Sequence, residues 1–83
     1  MGILTIYTTP TCAPCKAIMR QFDAAGIEYL PVDLSADEEA LTKLKMVLGR
    51  DVIQTPLIRW RSEYHDISIV PEIKKAHQQG GTA

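Results

Sequence analysis

The period of apolar positions along the chain switches repeatedly between two and about 3.6, and each switch marks an element. From Ile3 to Thr8 the apolar residues fall on both alternations, Leu4 and Ile6 on one, Ile3 and Tyr7 on the other. That pattern predicts a strand covered on both faces, as in a parallel sheet between helices. Thr9-Pro10-Thr11 interrupts it. Cys15, Ile18, Met19, Phe22 and Ala25 then form an amphipathic helical stripe, and Gly26 supplies its stop. Ile27 to Asp33 predicts a second strand. Pro31 has no N–H to give a ladder, so this strand belongs at a sheet edge. Ser35 and Glu38 have the spacing of a capping box, with Ser35 as N-cap and Asp37, Glu38 and Glu39 at the positive helix end. The helix that follows should turn Ala40, Leu41, Leu44, Val47 and Leu48 inward and Lys43 and Lys45 outward, ending at Gly49.

Gln54-Thr55-Pro56 precedes a third strand, Leu57 to Trp60. Arg61-Ser62-Glu63 reads as a turn and Tyr64 to Ile67 as a short fourth strand. A last helix should start near Val70-Pro71-Glu72, because proline suits a first helical turn. Val70, Ile73 and His77 share one side of it, and Lys74 and Lys75 lie toward the end where cations are favoured. The order is βαβαββα. Strand–helix–strand at the start implies a parallel pair with a right-handed crossover, and the short turn at 61–63 an antiparallel hairpin. The expected class is therefore α/β, a four-stranded mixed sheet flanked by helices. Residues 1–78 should form one domain, with 79–83 as a flexible tail.

Composition changes this picture little. Eighty-three residues hold a single core, and a chain this size buries only about 60 % of its unfolded surface. A hydrophobic share of 46 % and a charged share of 23 % are those of an ordinary globular protein. A net charge of −1 and a pI near 6.0 argue against electrostatic binding to nucleic acid or anionic membrane. No apolar run approaches the roughly 20 residues of a membrane span. Met1-Gly2-Ile3 runs straight into a strand pattern without the basic and apolar regions of a signal peptide, which sets the expectation of a cytoplasmic protein.

The chemistry concentrates at Cys12-Ala13-Pro14-Cys15, the chain's two cysteines, placed where a strand gives way to a helix. Two intervening residues let the sulfurs pair on one turn. So small a ring constrains the unfolded chain little and makes a poor structural staple. It is better suited to being opened and closed. Unpaired N–H groups and the positive macrodipole end at a helix start both stabilise a thiolate. In a reducing cytosol such a pair is more often catalytic or metal-binding than structural. The helical stripe places Cys15 on the core side and Cys12 at the open end. A zinc site is the competing reading, but it wants four ligands, and His65 and His77 lack the usual spacing. Single residues weigh less. Trp60 reads as sheet packing ahead of a cover for the substrate groove, His65 as a solvated hairpin histidine ahead of a proton-transfer group beside the disulfide, and Lys16 as a residue at the motif that either supports the thiolate or points to water. Tyr7 ends the first strand beside the motif, which makes it a site contact or a packing residue.

A C-x-x-C after the first strand of such a chain resembles the thioredoxin-fold arrangement. More closely, the sequence resembles the small glutaredoxin-like redoxins of the NrdH type. The resemblance is carried by Ile6-Tyr7-Thr8-Thr9-Pro10-Thr11-Cys12-Ala13-Pro14-Cys15, by Val32 to Ala40, and by Thr55-Pro56-Leu57-Ile58, in unbroken order over residues 3–58. It implies a thioredoxin-like fold and a dithiol–disulfide oxidoreductase that reduces a partner protein's disulfide, with ribonucleotide reductase as the partner. By the same resemblance Cys12 is the exposed nucleophile and Cys15 the buried resolving thiol. Pro56 matches the family's cis-proline, a geometry that sequence alone gives in only about 5–6 % of X–Pro bonds. Thr55 before it, with Tyr7 and Pro14, completes the expected substrate contacts. In the last third the chain departs from both patterns. His65-Asp66-Ile67-Ser68-Ile69-Val70-Pro71 replaces the Trp-Ser-Gly-Phe-x-Pro of these redoxins and the diglycine of glutaredoxins, and Thr9 lies near where glutaredoxins carry a lysine. The expected electron donor is therefore NADPH through a thioredoxin reductase rather than glutathione.

The expected mechanism is attack by the Cys12 thiolate on the partner disulfide, followed by displacement of the reduced partner by Cys15. No acidic residue lies between Leu4 and Thr8, so proton delivery to Cys15 falls to water. No organic cofactor is implied, and the protein is expected to act as a monomer. The alternative class is a metal- or iron–sulfur-binding module that uses the same two cysteines across a dimer.

Overall fold

Strands β1 (Thr5–Thr8), β2 (Leu30–Asp33), β3 (Leu57–Trp60) and β4 (Glu63–His65) form one sheet in the order β2-β1-β3-β4. The computed structural model describes residues 4–78. Ile3 and the tail expected at 79–83 lie outside the described residues. β1 pairs parallel with β2 and antiparallel with β3, and β3 pairs antiparallel with β4. Helices α1 (Ala13–Ala25), α2 (Glu38–Leu48) and α3 (Val70–Gln78) complete the βαβαββα order. The protein has an α/β thioredoxin-like fold. β2 lies at the edge, where the missing N–H of Pro31 costs no ladder bond.

Alternation along the strands divides the core in two. Leu4, Ile6, Ile58 and Trp60 meet Ile18 and Phe22 of α1 and Val70 and Ile73 of α3 on one face. Burying each large apolar side chain is worth about 1.5–3 kcal/mol, so this layer is the main source of stability. Trp60 is 8 % exposed within it, as its strand position suggests. On the other face, among the described residues, Leu34, Leu44 and Leu57 form a smaller buried cluster, ringed by half-buried residues that include Tyr7, Val32, Ala40, Leu41 and Tyr64.

The structure corrects several boundaries. Asp37, not Ser35, caps α2, its Oδ1 accepting the Ala40 N–H at 3.0 Å. Ser35 is taken instead by Asp33, whose Oδ1 accepts both the Ser35 N–H at 2.9 Å and its hydroxyl at 2.6 Å. Val47 is 55 % exposed, so the inward stripe of α2 runs through Ala40, Leu41, Leu44 and Leu48 alone. The second strand begins at Leu30 rather than Ile27, because Ile27 N–H bonds back to the Phe22 carbonyl at 2.9 Å while its side chain fills the core. The fourth strand ends at His65. Asp66 then repeats the Asp33 arrangement with Ser68, and Ile67–Ile69 form a 3-10 turn leading into α3. The hairpin itself closes through Arg61 and Ser62, both at positive φ (54° and 65°), which matches the twist that two-residue hairpins prefer.

Candidate active site

β1 hands the chain to a turn in which the Cys12 N–H donates to the Thr9 carbonyl at 3.1 Å. Pro10 occupies the second turn position, where a preset φ is favoured. This turn delivers Cys12 to the N-cap of α1 in an extended conformation (φ −86°, ψ 96°). Capping there is normally done by a Ser, Thr, Asp or Asn oxygen. Here the cap is sulfur. Cys12 Sγ accepts the Cys15 N–H at 3.1 Å, and the Cys12 carbonyl accepts the Lys16 N–H at 3.3 Å. Pro14 sits in the same first turn, where its missing N–H leaves nothing unsatisfied.

The two sulfurs are bonded, with Cα atoms 5.3 Å apart, so the structure is that of the oxidised protein. Cys15 is fully buried and Cys12 is 7 % exposed. Cys12 is thus the more accessible cysteine, but it is not an exposed residue while the disulfide is closed. Its Sγ is bonded to Cys15 and accepts the Cys15 N–H, while the intervening Ala13 and Pro14 are exposed. The first turn of α1 contains no acidic residue. The helix end and the Cys15 amide therefore favour negative charge on the Cys12 sulfur with no carboxylate in that turn to oppose them.

Thr55 and Pro56 come to the same end of the sheet. Tyr7 lies opposite Leu57, so the residues just before β3 flank the end of β1, from which the cysteine turn departs. The Thr55–Pro56 bond is cis, and both residues are half-buried. Tyr7 takes another place. Its ring lies 6.4 Å from that of Tyr64 and packs on the face covered by α2, away from α1. Burial first, and then Tyr64 nearby, push its phenol above the ordinary value, so it stays protonated. His65 stands against Trp60 with ring centroids 6.4 Å apart and its Nε2 3.8 Å from Glu63. Lys16 is exposed. Among the described residues no three His, Cys, Asp or Glu side chains converge as metal ligands, so a metal held by the cysteine pair would need ligands from a second chain. The sequence marks Thr9 for its place near the glutaredoxin lysine, but not for the carbonyl that closes this turn, although Pro10 ahead of Cys12 already signals the turn.

The family model for glutaredoxin matches residues 4–59, which include the cysteine turn, α1 and the Thr55–Pro56 segment. The chain belongs to the glutaredoxin family. Its match ends at Arg59 within β3, ahead of the hairpin turn, β4, the 3-10 turn and α3, the region where the sequence departs from the glutaredoxin pattern. Two curated relatives are gene 56 proteins of mycobacteriophages. That of Mycobacterium phage D29 is 49 % identical over 45 residues, covering 54 % of this chain and 50 % of the relative. That of Mycobacterium phage L5 is 40 % identical over 46 residues, covering 55 % and 45 %. The aligned part thus spans about half the length of each relative. Among solved structures, the thioredoxin-like protein BC3987 superposes with a TM-score of 0.64 at 18 % identity, over 87 % of this chain and 95 % of that one. Buckwheat glutaredoxin, crystallised with glutathione, gives 0.63 at 16 % identity over 93 % and 69 %. At these identities the likeness speaks for the fold. In this glutaredoxin, no helix among the described residues is long and apolar enough to cross a membrane.

Proposed function

We propose that this glutaredoxin-like redoxin reduces a disulfide in a partner protein, with Cys12 as nucleophile and Cys15 as resolving thiol. The observation that carries the reading is the Cys12 sulfur at the helix N-cap, holding the Cys15 N–H at 3.1 Å. In the reduced protein this position stabilises a thiolate. That thiolate attacks one sulfur of the partner disulfide, forming a mixed disulfide as the partner's other sulfur leaves and takes a proton from water. Cys15, deprotonated by water, then attacks Cys12 Sγ. The partner's remaining sulfur leaves as the second thiol, and Cys12–Cys15 is left oxidised. Two electrons and two protons pass to the partner. Thr55 and Pro56, at the same end of the sheet, would bind the partner's extended segment, and Pro14 would stiffen the turn between the sulfurs.

Ribonucleotide reductase is the partner that the NrdH-type resemblance supports, in a cytoplasmic setting with the redoxin acting as a monomer. The donor we propose is NADPH through a thioredoxin reductase. Support comes from the segment at 65–71, which has no glycine, and from Thr9 near the usual lysine position. The buckwheat relative's glutathione complex makes glutathione the natural comparison.

Insulin disulfide reduction, followed with NADPH and thioredoxin reductase and separately with glutathione and its reductase, tests both parts. Cys12→Ser should abolish turnover. Cys15→Ser should accumulate a mixed disulfide with the partner and then stall. Faster alkylation of Cys15 than of Cys12 in the reduced protein would reverse the assigned roles, and efficient turnover with glutathione alone would remove the proposed donor.

A further inference from the structure

The sheet face under α2 is less filled than the face under α1, and what lines the space there is not apolar throughout. A groove of about 460 Å³ runs between α2 and the strands, within the range of small-molecule sites. Register explains its lining. Thr5 lies opposite Leu30 on one side and Arg59 on the other, and Arg59 lies opposite Tyr64. These four residues therefore form one row across all four strands, on the side of the sheet that α2 covers only in part. Tyr7 adds a second phenol, Leu44 an apolar floor, and Lys43 an ammonium from the helix. Neither cysteine lines the groove.

We propose that this groove binds a small amphiphilic anion, an aromatic or short aliphatic body that carries one phosphate or carboxylate group. The site goes beyond the disulfide chemistry and does not depend on it.

Charge supplies the argument for the head group. Arg59 and Lys43 both line the groove, and among the described residues neither makes an ion pair with a carboxylate. The Arg59 guanidinium lies 5.8 Å over the Tyr64 ring, a contact that holds the cation beside the groove while its N–H groups remain suited to an oxyanion. One carboxylate, Asp37, reaches the groove, but its Oδ1 is committed to the Ala40 N–H at 3.0 Å. The balance of charge is positive by one. Tyr7 stays protonated, because burial raises it, and so adds no competing anion. The body of the ligand is set by the remaining walls. Two phenol rings tilted by 36° and the side chains of Leu30, Val32 and Leu44 make an apolar cleft beside the cations. A bare inorganic ion would leave that cleft wet, and a neutral hydrocarbon would leave Arg59 without a partner.

The test is a titration of the oxidised full chain, labelled with nitrogen-15, followed by amide chemical shifts. The probes are phenyl phosphate, benzoate, inorganic phosphate and benzyl alcohol. Phenyl phosphate or benzoate, or both, should give saturable shifts at residues 5–7, 40–44 and 59–64, while the amides of Cys12 and Cys15 stay in place. Benzyl alcohol and inorganic phosphate should bind at least about tenfold more weakly, since a charge-assisted hydrogen bond or a buried ring is worth that much. Arg59→Met keeps the aliphatic stem and should weaken the anions at least about tenfold, with Lys43→Met as a second, smaller loss. Absence of saturable shifts with both organic anions overturns the proposal. So does equal binding of benzyl alcohol or of inorganic phosphate, or unchanged binding in a natively folded Arg59→Met and Lys43→Met.

Discussion

The two faces of the sheet do different work. Under α1 and α3, Leu4, Ile6, Ile18, Phe22, Ile58, Trp60, Val70 and Ile73 close into a continuous layer to which the sheet and both helices contribute. Under α2, among the described residues, the buried apolar cluster is Leu34, Leu44 and Leu57, ringed by half-buried aliphatics and tyrosines with Arg59 and Lys43 at the groove beside them. The cysteine pair belongs to the first face, since the helix that Cys12 caps is the one whose Ile18 and Phe22 enter the larger core. Dense packing on this side anchors α1 along its length, whereas the other side keeps room for polar contacts.

The largest effects should fall on the dense side. Phe22 is fully buried, and Phe22→Ala should cost about 3–5 kcal/mol, a large part of the stability of so small a domain. Leu44 is 2 % exposed, but its surroundings are half-buried and can relax, so Leu44→Ala belongs near about 2 kcal/mol, the low end of its class. Urea unfolding of both variants checks the order. Equal losses would show that the α2 face is as tightly built as the other, and the comparison would fail.

The helix starts offer a smaller contrast. α1 is capped by the Cys12 sulfur, whereas α2 is capped by a carboxylate oxygen of Asp37. Asp37→Ala should cost about 1 kcal/mol by removing the acceptor of the Ala40 N–H. Ser35→Ala, expected from sequence to be the costly change, should stay within about 0.5 kcal/mol, because Ser35 is exposed and outside the helix. A thermal melt that ranks Ser35→Ala above Asp37→Ala would reverse the assignment of the cap.

That pair also shows what sequence could and could not resolve. The strand, turn and helix around Cys12 and Cys15 were legible because their signals are local and agree: a two-sided apolar strand, Pro10, the α1 stripe and Gly26. Pro31 likewise marked the edge strand. The start of α2 was ambiguous because Asp33, Ser35 and Asp37 can all serve as acceptors within one short stretch. Only the path of the chain from β2 decides that Asp33 takes the serine and Asp37 the helix. Ile67 suggested a longer fourth strand, since an apolar residue after Tyr64 suits a strand and a 3-10 turn of three residues has no period of its own. The groove was invisible for a different reason. Arg59, Thr5 and Tyr64 are distant in sequence and become one row only through strand register.

The finest test uses the two aspartate turns, one on the way into α2 and one on the way into α3. The Ser35 hydroxyl and then its N–H hold the Asp33 carboxyl below its usual 3.8, and Ser68 does the same for Asp66. A carboxyl lowered in the folded state favours folding above its unfolded value, and that contribution is lost as pH falls through the folded value. Both turns should therefore weaken only in acid, below 3.8, and neither should change stability near neutrality through titration. Carboxyl NMR titration should place both midpoints below the usual aspartate value. Ser35→Ala should raise only that of Asp33, and Ser68→Ala only that of Asp66. The two substitutions should differ in their effect on the fold. Asp66 and Ser68 set the chain for Val70 and Ile73 to enter the dense core, whereas Asp33 and Ser35 precede the looser α2. Ser68→Ala should thus lower the unfolding midpoint more than Ser35→Ala. If the order is reversed, the last helix is not held by its turn, and the asymmetry between the faces rests on packing alone.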